Sequence, residues 1–379
     1  MRKQIVIFFL CVGIATALFN CTNSTTSPKG TVFIPASDSN FIYLGRIDYS
    51  NPISLHFVYS GVSVRFRFEG TTCIIHLKNK STNKDNEGNY YKNYYNVVVD
   101  NGKPQVYTVS NEDENIKIKN LSKGTHEIIV FKRTEAFVGE GIFEGVSIEK
   151  GKTLIPVNEK KSRKIEFVGN SITCGYGNEG TSGNCSFSPE TENAYAAYGA
   201  ITARKLDADY NSVAYSGKGM YRNSDGKTTN TMSLIYDKIF PDSINSPKWD
   251  FKKSQPDMVV INLGTNDFYK GIPDSVIFVN TYVNFLKRLR SYYPSATFVC
   301  IESPYFNDSY LSEGRGTKMK NYINASKNKM KLIGDTKVYT FFSSPLEDGD
   351  YGCDMHPNLK RHEKMADELA KEIKKIMNW

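Results

Sequence analysis

The hydrophobic pattern of the chain changes once, near residue 155. Between residues 42 and 155, apolar and polar residues alternate with a period of two in short runs, and turn residues such as Glu-Gly, Asp-Asn-Gly and Lys-Gly separate the runs. The clearest runs are SVRFRFEG, TTCIIHLKNK, YYNVVVDNGKPQVYTV and THEIIVFKR. Many short strands of this kind predict a β-sandwich, which we place at residues 41–155.

From residue 164 onward, apolar runs alternate with helical patterns. The runs that predict strands are IEFVG, SVAY, MVVINL, ATFVCIE and TKVYTFF, and the helical patterns are ENAYAAYGAITARKLDAD and VNTYVNFLKRLRSYYP. Strands that alternate with helices predict a parallel sheet with helices on both faces. We place this α/β domain at residues 163–379, after a Lys-rich connecting segment that contains Pro156.

The first 21 residues have the pattern of an export signal. A short positive region precedes the apolar run IVIFFLCVGIATALF, which is followed by Cys21. This pattern resembles a bacterial lipoprotein signal, with Cys21 as the lipidated residue, and simple cleavage near Cys21 is the alternative. Residues 22–40 are rich in Ser, Thr, Pro and Gly and predict a flexible tether. We therefore expect a protein of the cell envelope or a secreted one, in contact with a membrane only through a lipid on Cys21.

Composition argues against a nucleic-acid-binding, a zinc-binding or a disulfide-rich protein. A length of 379 residues suits two domains, and the net charge of +8 comes from scattered basic residues, so nucleic acid is not an expected partner. Five of the seven cysteines follow the signal, and they form no CxxC motif, so neither a zinc site nor a disulfide framework is indicated. Cys174 and Cys185 flank a loop and are either bridged or free. We expect no metal or cofactor.

Ser171 is the candidate nucleophile. The apolar run IEFVG ends in Asn-Ser, and such a strand, turn and helix present a serine to substrate. A serine needs a base to accept its proton. Three of the five histidines lie in the predicted sandwich, which leaves His356 in the loop GCDMHPN and His362 on the apolar face of the last helix. We assign His356 as the base and His362 to the core.

Two further motifs follow predicted strands, and both supply hydrogen-bond donors. Gly217 and Gly219 lie in SGKGM, and Asn266 lies in GTND. Ligands bind parallel sheets at the carboxyl ends of the strands, so these residues converge with Ser171. Acyl transfer needs preformed donors for the oxyanion. The candidate donors are the Asn266 side chain and the backbone of Gly217 or, as the alternative, Gly219.

These motifs are similar to those of a known superfamily. The blocks GNSIT, SGKGM, GTND and DMHP resemble those of SGNH (GDSL-type) hydrolases, and the longer strings GNSITCGYGNEG, SGKGMYRN, VINLGTNDF and GCDMHPN resemble carbohydrate esterase family 2. GRIDYSNP and FEGTT extend the resemblance into the sandwich. It implies an α/β fold, in which a three-layer, flavodoxin-like catalytic domain follows a jelly-roll sandwich.

The resemblance also implies an activity and its residues. Members of this family remove acetyl groups from plant polysaccharides such as xylan and glucomannan, including 6-O-acetyl groups of hexoses, through an acetyl-serine intermediate. Ser171 is then the nucleophile, His356 the base and later the acid, and Asn266 with Gly217 the oxyanion donors. We expect an acetylated polysaccharide or oligosaccharide as the substrate.

Asp354 leaves one question open. The superfamily usually places an aspartate three residues before the histidine, and here Cys353 occupies that position. Asp354 either orients His356 or points elsewhere, in which case a backbone carbonyl orients the imidazole, as in family members with a Ser–His dyad. Tyr221, Tyr305 and Phe306 are candidates for a wall that stacks on sugar rings.

Two other readings remain open. The tyrosines at positions 90, 91, 94 and 95 either stack on sugars or pack within the sandwich. The whole chain is alternatively an esterase for another acyl ester, or a carbohydrate-binding surface protein with a vestigial site. The complete set of Ser171, Asn266 and His356 favours an enzyme.

Overall fold

A computed structural model describes residues 28–111, 115–157, 161–302, 308 and 313–379. The predicted signal at residues 1–21, with Cys21, lies outside the described residues, as do Tyr305 and Phe306. Within the described residues, no helix is long and apolar enough to cross a membrane.

The N-terminal part is a sandwich of two antiparallel sheets, as predicted. The first sheet contains β1 (Thr31–Pro35), β3 (Leu55–Phe57), β5 (Cys73–Lys80), β8 (Ile116–Ile118) and β10 (Glu140–Glu149). The second contains β2 (Ile42–Leu44), β4 (Ser63–Glu69), β6 (Asn93–Val99), β7 (Gln105–Val109), β9 (Thr125–Lys132) and β11 (Leu154–Ile155). The strand orders are β1-β10-β5-β8, with β3 on β10, and β11-β4-β9-β6-β7, with β2 on β4. The inward-facing side chains, such as Phe66, Ile75 and Phe143, form its core.

The predicted tether is wrong for part of its length. Residues 31–35 form β1, which pairs along its whole length with β10, from Thr31 opposite Glu149 to Pro35 opposite Gly145. The alternation of TVFIP is too short to stand out from its Ser- and Thr-rich surroundings. The strand forms because β10 offers it an edge to pair with.

The C-terminal part is the predicted parallel-sheet α/β domain. Its strands are β12 (Arg163–Gly169), β13 (Ala208–Ala214), β14 (Met258–Asn262), β15 (Thr297–Glu302) and β16 (Val338–Phe342), in the order β13-β12-β14-β15-β16. This order is the flavodoxin-like one, with a switch point between β12 and β14. Side chains on both faces of these strands are buried because helices cover both faces.

Seven helices accompany this sheet in the part of the chain that the structure describes. They are α1 (Ser171–Cys174), α2 (Tyr198–Lys205), α3 (Met232–Ile235), α4 (Thr265–Tyr269), α5 (Ser275–Tyr292), α6 (Arg315–Leu332) and α7 (Leu359–Met377). Short 3-10 turns lie at Pro189–Thr191, Ala194–Ala196, Phe251–Lys253 and Cys353–Met355. The helix predicted around α2 is shorter than expected, because residues 189–196 form two of these turns and β13 already begins at Ala208.

The sandwich and the α/β domain share buried contacts. Phe131 at the end of β9 packs against Tyr195 and Tyr210 of the α/β domain, at ring-centroid distances of 5.2 and 6.0 Å. Arg46 from the sandwich is buried 4.0 Å from the carboxylate of Glu166 on β12. Removing one partner of such a buried ion pair would leave the other charge buried and unpaired, which strongly destabilises the folded protein. The pair therefore constrains how the two domains dock.

Candidate active site

Ser171 is positioned by the tight turn from β12 into α1. Gly169 ends the strand, and a Cβ at this position would collide with the Oγ1 of Thr173. Asn170 then caps the helix, because its Oδ1 accepts a hydrogen bond from the backbone N–H of Ile172 at 3.2 Å. Ser171 follows as the first helical residue and is only 7% exposed. The hydroxyl therefore lies at the carboxyl end of β12, as expected.

The structure brings His356 to this serine. Its Nε2 lies 2.8 Å from the Oγ of Ser171, and its Nδ1 lies 3.0 Å from the backbone carbonyl oxygen of Asp354. A carbonyl oxygen can only accept, so Nδ1 carries the proton and Nε2 is the acceptor that faces the serine hydroxyl. Burial lowers the pKa of His356 to about 4, although the Asp354 carbonyl acts in the opposite direction. The imidazole is thus neutral and able to accept a proton at neutral pH.

The carboxylate of Asp354 does not orient this imidazole. Its Oδ2 accepts hydrogen bonds from the hydroxyl of Tyr176 at 2.8 Å and from the backbone N–H of Phe187 at 2.9 Å. The ring of Tyr176 in turn packs on His356, with 4.3 Å between the ring centroids. Asp354 therefore supports His356 through its backbone carbonyl, while its side chain fixes the residues around the ring.

Cys353, at the position of the usual triad aspartate, forms a disulfide with Cys185. The Cα atoms are 4.5 Å apart. The predicted alternative of a bridge between Cys174 and Cys185 is therefore wrong, and Cys174 is a free, buried thiol. The observed partners are separated by 168 residues, so nothing in their local spacing indicates the pairing.

The loop that carries His356 has an unfavourable backbone conformation. Asp354 and Met355 both adopt left-handed φ angles, +49° and +59°, which cost roughly 1–2 kcal/mol each for non-glycine residues. Three hydrogen bonds hold it: the N–H groups of residues 353, 354 and 355 donate to the carbonyl oxygens of residues 177, 185 and 183 at 3.0, 2.7 and 3.1 Å. The loop is thus fixed to the segment that follows Ser171.

The oxyanion candidates lie in one cleft with Ser171. Gly217 lines the cleft with a left-handed φ of +76°, and within the described residues its N–H has no protein acceptor. The N–H of Gly219, by contrast, already donates to the Oδ1 of Asn223 at 3.2 Å. Asn266 also lines the cleft, and its Nδ2 donates to the carbonyl of Lys218 at 2.8 Å, which fixes the amide beside the Gly217 loop. The geometry favours Gly217 over Gly219.

Asp267, next to Asn266, holds the backbone that directly follows Gly219. Its carboxylate is buried and accepts hydrogen bonds from the backbone N–H groups of Met220, Tyr221 and Arg222 at 2.7–2.8 Å. Burial raises the pKa of Asp267 to about 6, against the effect of these donors. Tyr221 lies outside the residues that line the cleft, and its ring packs on the hydrophobic core. The prediction that Tyr221 stacks on a sugar is therefore not supported.

Sequence reasoning missed one residue, Glu135 from the sandwich. Its carboxylate accepts hydrogen bonds from both the backbone N–H, at 2.7 Å, and the hydroxyl of Ser216, the residue before Gly217. Glu135 is fully buried. The two residues are 81 positions apart and belong to different domains, so no motif spacing could have linked them. The sandwich thus helps to position the backbone that would bind an oxyanion.

Glu135 belongs to a buried network of ionisable groups. Its backbone N–H donates to the Oε2 of Glu192 at 3.0 Å, and burial together with the neighbouring charge of Glu135 raises the pKa of Glu192 well above its ordinary value. Lys132 donates from Nζ to the carbonyl oxygens of Thr134 and Glu135 at 2.6 and 3.2 Å. Burial lowers the pKa of Lys132 to about 7. Burial raises the pKa of Glu135 as well, while its hydrogen bonds from Ser216 act in the opposite direction.

The cleft over Ser171 has a volume of about 640 Å³. Its walls combine the aromatic residues Phe137, Tyr176 and Tyr269 with the charged residues Asp225 and Lys270. A cleft of this size and mixed polarity accommodates a small polar ligand such as a sugar unit.

Comparisons with known proteins agree with this site. The strand, turn and helix around Ser171 and the pairing with His356 define a hydrolase of the GDSL type, and the model of the GDSL-like Lipase/Acylhydrolase family matches residues 167–364. The model of the Carbohydrate esterase 2 N-terminal domain matches residues 43–157. The chain belongs to carbohydrate esterase family 2, which confirms the resemblance seen in the sequence.

Individual relatives extend over most of the chain. The cellulase/esterase CelE of Acetivibrio thermocellus is 37% identical over 342 residues, which are 89% of this chain but only 40% of that longer protein. An acetylxylan esterase / glucomannan deacetylase of Cellvibrio japonicus is 28% identical over 361 residues, or 95% of each chain. The structure of a family two carbohydrate esterase from Clostridium thermocellum in complex with cellohexaose superposes with a TM-score of 0.80 at 36% identity, covering 89% of this chain and 99% of that one.

The hydrogen bonds of Asp354 predict that its side chain matters much less for activity than those of Ser171 and His356. We expect Ser171→Ala and His356→Ala each to lower kcat/KM for an acetyl ester by roughly 10⁴-fold or more. Asp354→Asn keeps an acceptor oxygen and tolerates the left-handed backbone, so it should cost about tenfold or less. Asp354→Ala should also cost much less than Ser171→Ala. A carboxylate that orients the imidazole would instead cost about 10⁴-fold on conversion to Asn, and that result would contradict the backbone assignment.

The Glu135 contact makes a second prediction. Glu135→Gln replaces an acceptor oxygen facing Ser216 by an NH2 group, so the Gly217 loop should shift and kcat should fall by about 10- to 100-fold, with little change in KM. Steady-state kinetics on a small acetyl ester would measure this. Glu144→Gln, on the sandwich surface beside Lys78, is the matched control. An unchanged kcat in a folded Glu135→Gln protein would refute the positioning role.

Proposed function

We propose that this protein is a serine esterase that removes O-acetyl groups from plant cell-wall polysaccharides, xylan and glucomannan. The observation that carries the proposal is the hydrogen bond between Ser171 Oγ and His356 Nε2 at 2.8 Å, in a cleft where Gly217 and Asn266 offer oxyanion donors. The Cellvibrio japonicus relative, named for both polysaccharides, supports the substrate class. The cellohexaose complex of the Clostridium thermocellum enzyme supports a carbohydrate chain as the ligand.

The first half of the reaction forms an acetyl-serine. Ser171 Oγ attacks the acetyl carbonyl carbon as His356 Nε2 takes the hydroxyl proton, and the Nδ1–H of the resulting imidazolium stays bonded to the Asp354 carbonyl. The oxyanion receives hydrogen bonds from Gly217 N–H and Asn266 Nδ2. The bond to the sugar oxygen then breaks, and His356 returns the proton to that oxygen.

The second half regenerates the enzyme. Water gives a proton to His356 Nε2 as its oxygen attacks the acetyl-serine carbonyl, and the same donors bind the second oxyanion. Collapse releases acetate, and the proton returns to Ser171 Oγ. Every proton transfer in this scheme uses the single imidazole of His356.

Specificity for acetate is the second part of the proposal. An esterase for another acyl ester would use the same pair and the same donors, so the pair alone does not exclude it. A binding protein with a vestigial site is disfavoured, because Ser171 and His356 lie at hydrogen-bond distance and the Gly217 amide is free to bind within the described residues. Chain-length preference on synthetic esters separates the acetyl esterase from the general one.

We also propose that the protein is exported and anchored by a lipid on Cys21. The apolar run before Cys21 and the positive residues at its start support this assignment. An envelope location would place the enzyme where polysaccharide fragments arrive. Metabolic labelling with a fatty-acid analogue, compared between the wild type and Cys21→Ala, tests the anchor.

Acetate release is the direct test of the activity. We expect the protein without residues 1–21 to release acetate from acetylated xylan and acetylated glucomannan, and the Ser171→Ala protein to release none above background. Enzymatic assay of free acetate measures both. If the folded wild-type protein acts on neither polymer, or if its rate on synthetic esters rises with acyl length, the proposed substrate is wrong.

The buried imidazole predicts the acid limb of the pH profile. A base whose pKa is lowered to about 4 stays neutral over a wide range, so kcat/KM should remain high as the pH falls below 6.5, the ordinary pKa of histidine. The midpoint of the acid limb should therefore lie between about 4 and 6. Fluorescence recorded over the same range controls for unfolding. A midpoint at or above 6.5 would show that His356 is not held in its neutral form.

A further inference from the structure

A second cleft, larger than the catalytic one, lies on the sandwich beside the active site. It has a volume of about 710 Å³ and includes residues from the loop before β6, from the end of β7 and from the segment after Cys185. Three of the tyrosines singled out in the sequence line it: Tyr90, Tyr91 and Tyr94. The fourth, Tyr95, points to the opposite face of β6 and is 1% exposed in the core. The tyrosine cluster therefore divides into one packing residue and three that face the cleft.

An aromatic wall joins this cleft to the catalytic histidine. Phe187 lines the second cleft, and its ring lies 4.4 Å from that of Tyr176, which itself lies 4.3 Å from His356. On the other side, the ring of Phe187 lies 6.5 Å from that of Tyr91. Phe137, which lines the catalytic cleft, also contacts Phe187, with the ring centroids 5.2 Å apart. A ligand too long for the catalytic cleft would pass along this wall into the second one.

The rim of the second cleft has a preformed shape. Asp85 accepts hydrogen bonds from the backbone N–H groups of Glu87 and Asn89, both at 2.9 Å, so the loop is closed without a ligand. Tyr90 is 46% exposed, and the ammonium group of Lys84 lies 4.5 Å from its ring centroid. This cation–π contact favours the observed position of the ring. Binding would therefore cost little ordering of the protein.

The chemistry of the lining selects an uncharged, hydroxyl-rich ligand. Tyrosine rings offer flat apolar surfaces for the C–H faces of sugars, while Asn86 and Lys92 offer polar groups that pair with hydroxyls. The single charges of Asp85 and Lys92 are opposite in sign, so the lining does not favour a strongly charged ligand. Resting on the proposed function, we propose that this cleft is a distal subsite for the polysaccharide backbone, which continues from the acetylated sugar at Ser171 onto the sandwich.

The test compares a polymer with a small ester in the full chain. Tyr90→Ala and Asn86→Ala alter only the subsite, so each should raise KM for acetylated glucomannan by about fivefold or more, as expected for loss of an aromatic or polar contact. Neither should change kcat/KM for a chromogenic acetyl ester. Tyr339→Ala, an aromatic residue 39% exposed on β16, is the matched control and should change neither constant.

A binding measurement separates failure of the subsite from failure of the proposed function. Calorimetry of Ser171→Ala with deacetylated glucomannan should show binding that the added Tyr90→Ala weakens by a similar factor. If the wild type hydrolyses the polymer and both Tyr90→Ala and Asn86→Ala leave KM and binding unchanged, the subsite is refuted while the function stands. If the wild type releases no acetate from the polymer, the function fails. The subsite is then retained only if Tyr90→Ala still weakens glucomannan binding, and is otherwise refuted with it.

Discussion

The hydrogen bond between Ser171 and His356 depends on one loop, residues 352–358, held in a conformation that its residues would not adopt alone. Two consecutive left-handed residues and a disulfide give this loop its shape, and it is bonded to the segment that follows Ser171. The nucleophile and its base are therefore fixed to the same piece of chain. This arrangement explains how a site without an orienting carboxylate keeps its imidazole aligned, because a backbone carbonyl in a rigid loop supplies a fixed acceptor.

The sandwich is part of the catalytic unit and not an appended module. It supplies Glu135 to the oxyanion loop, Phe131 to the core of the α/β domain and Arg46 to the buried pair with Glu166. The three sandwich residues are themselves buried, and each contact joins residues that are far apart in sequence. The cleft beside Phe187 adds a ligand-facing surface to the same domain. Bracing of the site and contact with substrate are thus compatible roles of one sandwich.

Most of the fold followed from hydrophobic periodicity. The long alternating strands of the sandwich and the buried runs of the parallel sheet were predicted because each carries a strong local pattern. Helix α6 was not predicted, because its buried face is only a weak apolar stripe. The buried positions of this helix are Gly316, Met319, Ile323, Ser326 and Met330. Strand β1 was not predicted because pairing with β10, and not its own composition, makes it a strand.

The sequence by itself determined the reacting groups: a serine after a strand, a histidine in a loop, and donors at two further strand ends, because each lies in a short local motif. Only the tertiary structure decided how these groups are held. The Cys185–Cys353 bridge, the turning of the Asp354 side chain toward Tyr176 and the contact from Glu135 to Ser216 each join distant segments. Such contacts depend on how the layers pack, and they cannot be inferred from the local order of residues.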